Sequence, residues 1–285
     1  MQYYFLRFPE GKTKAVTFSY DDGCRQDLRL CEVFNKYGMK ATFNLNSNRI
    51  GIDEWHLSED EIREKISGTG HEVAVHCANH KQPGMTILAD GIREVLDCRV
   101  ELEKIFGGII KGMAYPNSGI RVFENGATYN DVKSYLTQLG IAYARSLGSD
   151  NDCFHIPQDW HNWIPTAHHN NPKLFEWIER FVNTDVKSLY TGARRPMLCY
   201  IWGHSYEFDN NNNWDRIEEI CQKLSCKDDT WYATNIEICN YIKAYHSLEF
   251  NMDMSLCYNP TAYTVWFEAD GKDYCVKSGE TIEIH

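Results

Sequence analysis

Short apolar runs alternate with longer polar stretches along most of this chain, and this pattern strongly constrains its fold. The runs are near-continuously apolar, which is typical of strands covered on both faces. The seven strand candidates are KAVTFSY (14–20), KATFNLN (40–46), HEVAVH (71–76), GMAYP (112–116), IAYARS (141–146), MLCYIWGH (197–204) and WYATN (231–235).

Helix signals lie between these runs. One predicted helix begins at Ser58, with Glu61 in a capping-box position, and ends at Gly68. Two others span 87–108 and 128–140, and each finishes at a glycine. Strand, helix and strand in succession predict parallel strands with right-handed crossovers. We therefore expect an α/β fold, a distorted (β/α)7 barrel.

The pattern changes near residue 247. Short strand-like runs are now separated by turn signals, which favours antiparallel pairing. We predict a barrel over residues 1–246 and a small antiparallel β appendage over 247–285, packed on the barrel because it is too small to be stable alone. The turn signals are Asn259-Pro260, Asp270-Gly271 and Ser278-Gly279.

Charge and composition exclude several classes of partner. The net charge is -11 and the pI is about 5.5, which argues against nucleic acid. The chain has no apolar run of the roughly 18 residues that a membrane span needs, and its first residues do not resemble a signal peptide. The 11 cysteines include no CxxC pair, which favours free thiols in a reducing compartment. We expect a cytoplasmic protein, and the sequence does not indicate an oligomeric state.

Polar residues with chemical potential follow several of the predicted strands. Asp21 and Asp22 follow the first, His76 the third, Arg145 the fifth and His204 the sixth. In a parallel barrel the carboxyl ends of the strands meet at one rim, where the chemistry of such folds takes place. We therefore expect residues far apart in sequence to converge there.

His76 and His80 suggest a metal site. Histidines at i and i+4 face the same way on a helical turn, and two imidazoles plus one carboxylate leave positions open for water and substrate. Zinc suits this set best, although cobalt, nickel or manganese would bind the same ligands. One of Asp21 and Asp22 would then bind the metal while the other accepts a proton. The plainer alternatives are a surface histidine pair and an Asp-Asp-Gly turn.

Two motifs resemble those of the polysaccharide deacetylases, the NodB-homology domain of carbohydrate esterase family 4. SYDDG (19–23) matches the first family motif and HCANH (76–80) the second, and the resemblance extends over roughly residues 12–245. It implies that Asp21 is the catalytic base and that the metal ligands are Asp22, His76 and His80. His204, in CYIWGH, matches the family's general acid and would protonate the leaving amine.

The third family motif is only partly kept. In MAYPNSG, Ala114 stands where an arginine is expected, Pro116 is retained and Asn117 replaces a tyrosine. We hypothesise that Arg145, at the next strand end, supplies the missing guanidinium. Tyr115 and Asn117 are candidates for substrate binding, the latter near a backbone N–H for the oxyanion.

The fourth family motif has a loose counterpart in PQDWHNWIPT (157–166). Trp160 or Trp163 could stack on a sugar there, or either could belong to the core. The His-His-Asn stretch at 168–170 could supply extra ligands or form a loop, and the loop is favoured. Glu207 is close enough to His204 in sequence to contact it.

These features together favour a metal-dependent hydrolase that removes acetyl groups from N-acetylated or O-acetylated sugars. Two alternatives remain open at this point. One is a hydrolase of another C–N bond in a small cytoplasmic molecule. The other is a catalytically impaired relative that only binds carbohydrate, which the loss of arginine at Ala114 would favour.

Overall fold

The computed structural model of the chain describes residues 3–117, 119–147 and 151–285. Its strands are β1 (Tyr4–Arg7), β2 (Lys14–Asp21), β3 (Ala41–Leu45), β4 (Glu72–Val75), β5 (Gly112–Ala114), β6 (Tyr143–Arg145), β7 (Ala167–His168), β8 (Met197–Gly203), β9 (Thr230–Tyr232), β10 (Glu249–Phe250), β11 (Leu256–Tyr258), β12 (Val265–Ala269), β13 (Lys272–Val276) and β14 (Thr281–Glu283). Its α-helices are α1 (Gln26–Tyr37), α2 (Glu59–Glu61), α3 (Leu88–Phe106), α4 (Tyr129–Gln138), α5 (Leu174–Asn183), α6 (Tyr206–Asn210), α7 (Trp214–Leu224) and α8 (Asn235–His246).

Strands β2 to β9 form one parallel sheet that curls into a half-barrel. The order along it is β6-β5-β4-β3-β2-β8-β7, and β9 also pairs with β2. Each of the seven predicted runs overlaps one of these strands, and the two-residue β7 is an addition that was too short to predict. The expected α/β fold of the distorted-barrel type is thus confirmed.

Strand β2 lies at the centre of the sheet, and its side chains alternate between two environments. Phe18 and Tyr20 pack against Phe34 of α1, with ring centroids 4.7 and 5.7 Å apart. On the other face Thr17 donates a hydrogen bond to Asn235 Oδ1 at 2.7 Å. All eight residues of the strand are buried, so the packing on both faces fixes the position of Asp21 at its end.

The helix signals were largely accurate. Ser58 and Thr128 both form capping boxes, and Gly107 ends α3 in the left-handed conformation at φ 66°. The prediction that the first helix ends at Gly68 was wrong. After α2 the chain continues through a π-helical turn and a short 3-10 turn, and the helical segment ends at Gly70, which is left-handed at φ 79°. A left-handed backbone is what favours glycine at a helix end, and sequence spacing alone did not distinguish two glycines two residues apart.

The carboxyl-terminal strands are antiparallel, as the turn signals predicted. They form two three-stranded sheets, in the orders β10-β11-β14 and β1-β12-β13. The second sheet includes the amino-terminal strand β1, which the sequence did not reveal. Arg7 of β1 pairs with Glu268 of β12 inside this sheet, with both side chains buried. The domain boundary near residue 247 remains a prediction.

The state of the cysteines and the character of the helices can be compared with the expectations from composition. All eleven cysteines are free, and eight of them are buried. Within the ranges described, no helix is long and apolar enough to cross a membrane.

Glu72 is a carboxyl group that the proposed chemistry does not use. It accepts hydrogen bonds from Thr42 Oγ1 at 2.7 Å, the Tyr143 hydroxyl at 2.8 Å and the Ile236 backbone N–H at 2.9 Å. Burial nevertheless dominates and raises the pKa of Glu72 to about 7. This carboxyl is therefore protonated in the folded chain at pH values where it is ionised in the unfolded chain.

Ionisation of Glu72 should cost stability as the pH rises. Because the folded pKa is raised, its contribution is fully present below the unfolded pKa and is lost as pH passes through about 7. We expect the metal-free chain to lose about 3 kcal/mol of unfolding free energy from this group between pH 4.5 and pH 8. Glu72→Gln should lack that loss in urea titrations at the two pH values. The same pH dependence in parent and variant would contradict the assignment.

Candidate active site

The carboxyl ends of β2, β4, β6 and β8 bring the predicted polar residues to one edge of the half-barrel. The Asp22 backbone N–H donates to Asn44 O at 3.1 Å, and the His76 N–H donates to Leu45 O at 3.0 Å. These bonds continue the sheet just beyond its strands. The side chains that follow β2 and β4 are therefore held at fixed positions by the backbone.

Asp22, His76 and His80 form a compact set of potential metal ligands. Asp22 Oδ1 lies 3.7 Å from His76 Nε2 and 3.3 Å from His80 Nε2, and one ligand atom from each of the three residues lies within 4.8 Å of the others. Asp22 Oδ1 is buried and has no hydrogen-bond partner in the described chain. A buried carboxylate oxygen without a partner is costly, and a bound cation would satisfy it, so these residues fit a divalent metal.

The surroundings of the two histidines suit them to act as metal ligands. His76 Nδ1 donates a hydrogen bond to the Ala114 carbonyl at 2.9 Å, which leaves its Nε2 lone pair directed toward the carboxylates, as outer partners of metal-bound histidines do. Burial and the neighbouring His76 lower the pKa of His80 to about 4. His80 is therefore neutral near pH 7 and its lone pair is available.

The segment 76–80 is a turn, so the interpretation of His76 and His80 as neighbours on a helical turn was wrong. The turn still brings the two histidines together, through unusual backbone conformations. Asp22, Cys77 and His80 have φ values of 81°, 62° and 61°, a region that non-glycine residues seldom occupy. The two rings still lie 4.9 Å apart. Such strained conformations concentrate at functional sites.

Asp21 lies beside the metal set but has its own partners. Its Oδ1 accepts a hydrogen bond from Asn44 Nδ2 at 2.8 Å, and its Oδ2 accepts one from the Arg145 guanidinium. Its Oδ2 lies 4.0 Å from His76 Nε2, one of the potential metal-ligand atoms. Burial opposes ionisation of this carboxyl, but Arg145 and His76 outweigh it and lower the pKa of Asp21. Asp21 is thus an anion at neutral pH.

Arg145 reaches Asp21 from the end of β6. Its guanidinium also lies over the ring of Trp202, 4.4 Å from the centroid. The side chain is buried, and its Nε and Nη1 atoms have no partner among the described residues. The hypothesis that Arg145 stands in for the arginine missing at Ala114 now has a contact behind it, while Ala114 contributes its backbone carbonyl to His76.

His204 follows β8 and faces the other side of Asp22. Its Nε2 lies 3.9 Å from Asp22 Oδ2, and its Nδ1 donates to Glu207 Oε1 at 2.9 Å. Burial alone would lower the pKa of His204, but the hydrogen bond to Glu207 and the charges of Asp21 and Asp22 raise it. The expectation that Glu207 could contact His204 is met.

Glu207 is held by residues that the sequence had suggested were only a loop. Its Oε2 lies 3.2 Å from His168 Nε2, 3.0 Å from His169 Nε2 and 3.0 Å from Asn170 Nδ2. Burial opposes its ionisation, yet the three neighbouring histidines hold the pKa of Glu207 well below its usual range. The carboxylate that orients His204 is therefore itself rigidly placed.

Comparison with known proteins identifies the family behind this geometry. Residues 9–144 match the family profile described as polysaccharide deacetylase. These residues belong to the polysaccharide deacetylase family. The matched range includes Asp21, Asp22, His76 and His80, and it ends one residue before Arg145. No curated protein sequence matches the chain.

Solved structures share the fold at low sequence identity. The Puue allantoinase is 13% identical, with a TM-score of 0.58 over 84% of this chain and 93% of that chain. A Mycobacterium smegmatis protein described as a polysaccharide deacetylase is 16% identical, with a TM-score of 0.56 over 85% of this chain and 94% of that chain. A variant of the peptidoglycan deacetylase PdaC from Bacillus subtilis is 17% identical, with a TM-score of 0.51 over 84% and 95%. These likenesses establish a common fold.

Three of the four substrate-binding candidates are not brought to this family site. The Tyr115 ring is buried, and its hydroxyl donates to His161 O at 2.9 Å. Trp163 is 1% exposed and packs on Tyr143 and Tyr200 in the core. The side chains of both lie inside the molecule because they fill the space between the sheet and the helices and loops packed against it.

Trp160 stacks against Trp163 with ring centroids 5.0 Å apart, and Lys243 of α8 lies 5.9 Å from its ring. It thus belongs to the apolar cluster beneath α8, which includes Tyr143, Trp163 and Tyr200. Asn117, the remaining candidate, is exposed at φ 52°. The next residue lies outside the described ranges.

The aromatic residues that do line the site were missed. Trp202 lies between Arg145 and His204, with its ring 5.9 Å from that of His204. Tyr206 follows His204 with ring centroids 5.2 Å apart. Only Trp202 left a signal: it lies on β8 two residues before His204, and alternation along a strand places i and i+2 on one side. Tyr206 begins α6, so the strand pattern did not reveal it.

Proposed function

We propose that this chain is a metal-dependent hydrolase that removes acetyl groups from N-acetylated or O-acetylated sugars. The observation that carries the proposal is the convergence of the ligand set Asp22, His76 and His80 with Asp21 on one side and His204 on the other. Hydrolysis of an amide needs a base for water and an acid for the leaving nitrogen, close to one carbonyl. In this proposal Asp21 would supply the base and His204 the acid.

The proposed cofactor is one divalent cation bound by Asp22, His76 and His80, with zinc favoured by the imidazole ligands. When bound it would polarise the acetyl carbonyl and make a water molecule more acidic. Cobalt, nickel and manganese are compatible with the same donors.

Asp21 is the proposed base. It is held as an anion by Arg145 and Asn44, and it is not needed as a metal ligand because three others are present. Its role would be to accept the proton of the attacking water. Asn117 is proposed to offer its backbone N–H to the carbonyl oxygen as charge develops there.

His204 is the proposed acid. Its raised pKa favours the protonated form, and the hydrogen bond from Nδ1 to Glu207 leaves Nε2 to deliver a proton to the departing nitrogen. A histidine ring held at one nitrogen by a carboxylate has a defined orientation for transfer at the other. Acetate and a free amino sugar would be the products.

Two alternatives make different predictions for the products. A hydrolase of another C–N bond would use the same groups on a different amide, and the fold shared with Puue allantoinase is compatible with that reading. A non-catalytic sugar-binding protein was favoured by the loss of arginine at Ala114, and the Arg145 contact weakens that argument.

Incubation of the zinc-loaded chain with N-acetylated oligosaccharides, O-acetylated xylan and allantoin separates these three functions. Acetate from either sugar supports the proposal, whereas turnover of allantoin alone, or of none, overturns it.

Substitution of Arg145 tests the replacement of the missing arginine. We expect Arg145→Met to lower kcat by about 100-fold or more, because Asp21 loses the partner that keeps it charged and oriented. Arg145→Lys should retain part of the activity, since a lysine keeps the charge but not the planar fork. Arg7→Lys is the matched control, because Arg7 is equally buried but pairs with Glu268 on another sheet. Acetate release at an unchanged rate in Arg145→Met would remove Arg145 from the mechanism.

A further inference from the structure

A row of aromatic rings leads from His204 to the surface. The ring of Tyr206 lies 5.2 Å from His204, and the ring of Trp55 lies 5.6 Å from Tyr206. Trp55 is 39% exposed although it packs on Tyr206. We refer to Trp55 and Tyr206 as the rim aromatics.

The loop between β3 and α2 holds Trp55 firmly in this place. Its carbonyl accepts a hydrogen bond from the Arg25 backbone N–H at 2.9 Å, and its own N–H donates to Asp53 Oδ1 at 2.9 Å. The neighbouring Leu57 N–H donates to Gly23 O at 3.0 Å. The loop is thus tied to the segment that directly follows Asp22. An exposed indole that is positioned in advance binds at a lower entropic cost.

The proposed reaction determines what lies next to these rings. A proton from His204 goes to the leaving nitrogen, so the sugar carrying that nitrogen must lie against His204 and its neighbours. The apolar face of a sugar ring packs well on an indole or phenol ring, and the polar tips of both side chains can meet its hydroxyls. Neither Trp160 nor Trp163 is available for this contact, since both pack in the cluster beneath α8.

We propose that the rim aromatics bind the sugar ring that carries the leaving amino group, with Trp55 as the main stacking surface. This inference rests on the proposed deacetylase function and names its leaving-group subsite. It makes Trp55 a specificity-determining residue that favours saccharides over small acetyl compounds. Trp55 lies outside every family motif considered above, on a loop that carries no proposed catalytic group.

Sugar binding tests the proposal separately from hydrolysis. Titration calorimetry would measure the affinity of an N-acetylated chitotetraose for the zinc-loaded Asp21→Asn chain, with and without Trp55→Ala. We expect Trp55→Ala to weaken binding about tenfold and Trp55→Phe to restore part of it, because buried ring area supplies the affinity. In the active chain Trp55→Ala should raise KM on the tetraose with a much smaller effect on kcat. Tyr263→Ala is the matched control, since Tyr263 is 42% exposed on the carboxyl-terminal segment.

Equal tetraose affinity with and without Trp55→Ala would overturn the subsite, and so would absence of tetraose binding to the Asp21→Asn chain. Failure of the proposed function has a different signature: the active chain would release no acetate while calorimetry still distinguished Trp55→Ala from its parent. The two results are therefore read independently.

Discussion

Asp21→Asn is expected to lower kcat for acetate release by about 1,000-fold, the range expected for loss of a general base. The substitution preserves the size of the side chain and removes the charge that Arg145 and Asn44 stabilise. Zinc content should stay at one equivalent, because the ligand set consists of Asp22, His76 and His80. Acetate assays and elemental analysis of the same preparation would measure both quantities.

Asp253→Asn is a suitable control, because its carboxylate is fully exposed on the carboxyl-terminal segment. Near-normal turnover in Asp21→Asn would contradict the assignment of the base. Loss of zinc from that variant would instead make Asp21 a ligand, which its hydrogen bonds with Arg145 and Asn44 do not favour.

His80→Ala is expected to weaken zinc binding by more than about 100-fold and to abolish activity at low zinc. Loss of a partner that only orients a ligand already costs 10–100-fold in affinity, and a direct ligand should cost more. His80 is suited to the test because its side chain is partly exposed, so its removal leaves no large cavity. Competition with a fluorescent zinc chelator would measure the affinity.

Asp22→Asn provides a second route to the same result, since it keeps the shape of the side chain and removes its charge. His246→Ala is the control for histidine loss, because His246 is exposed at the end of α8. If His80→Ala and Asp22→Asn both bind zinc as the parent does, the metal lies elsewhere and the proposed ligand set is wrong.

The fold could be predicted because parallel strands covered on both faces leave a strong signal. Strand β2 is buried at every position, and its sequence combines aromatic and β-branched residues that favour strands with a final Asp21, which Asp22 follows. Strand β7 has only two residues and left no such run. The pairing of β1 with β12 joins positions such as Tyr4 and Ala269, and no local pattern in the chain reports a partner so distant.

The candidate site was predictable where chemistry and strand ends coincide. Asp22 and His76 converge because each directly follows a strand of one sheet, and the turn after β4 brings His80 to the same place. The aromatic contacts were not predictable in the same way, since tryptophans serve cores and surfaces equally well. Trp163 fills the interior while Trp55 faces outward, and only the packing of loops around the sheet decides between them.

Acetate release from an N-acetylated chitotetraose by the chain stripped of metal, before and after one molar equivalent of zinc, tests the central claim most directly. The account predicts no release by the stripped chain and recovery of activity that saturates at one equivalent. Release that persists without metal would contradict a metal-dependent sugar deacetylase. So would the absence of release from both the tetraose and O-acetylated xylan while one equivalent of zinc is bound.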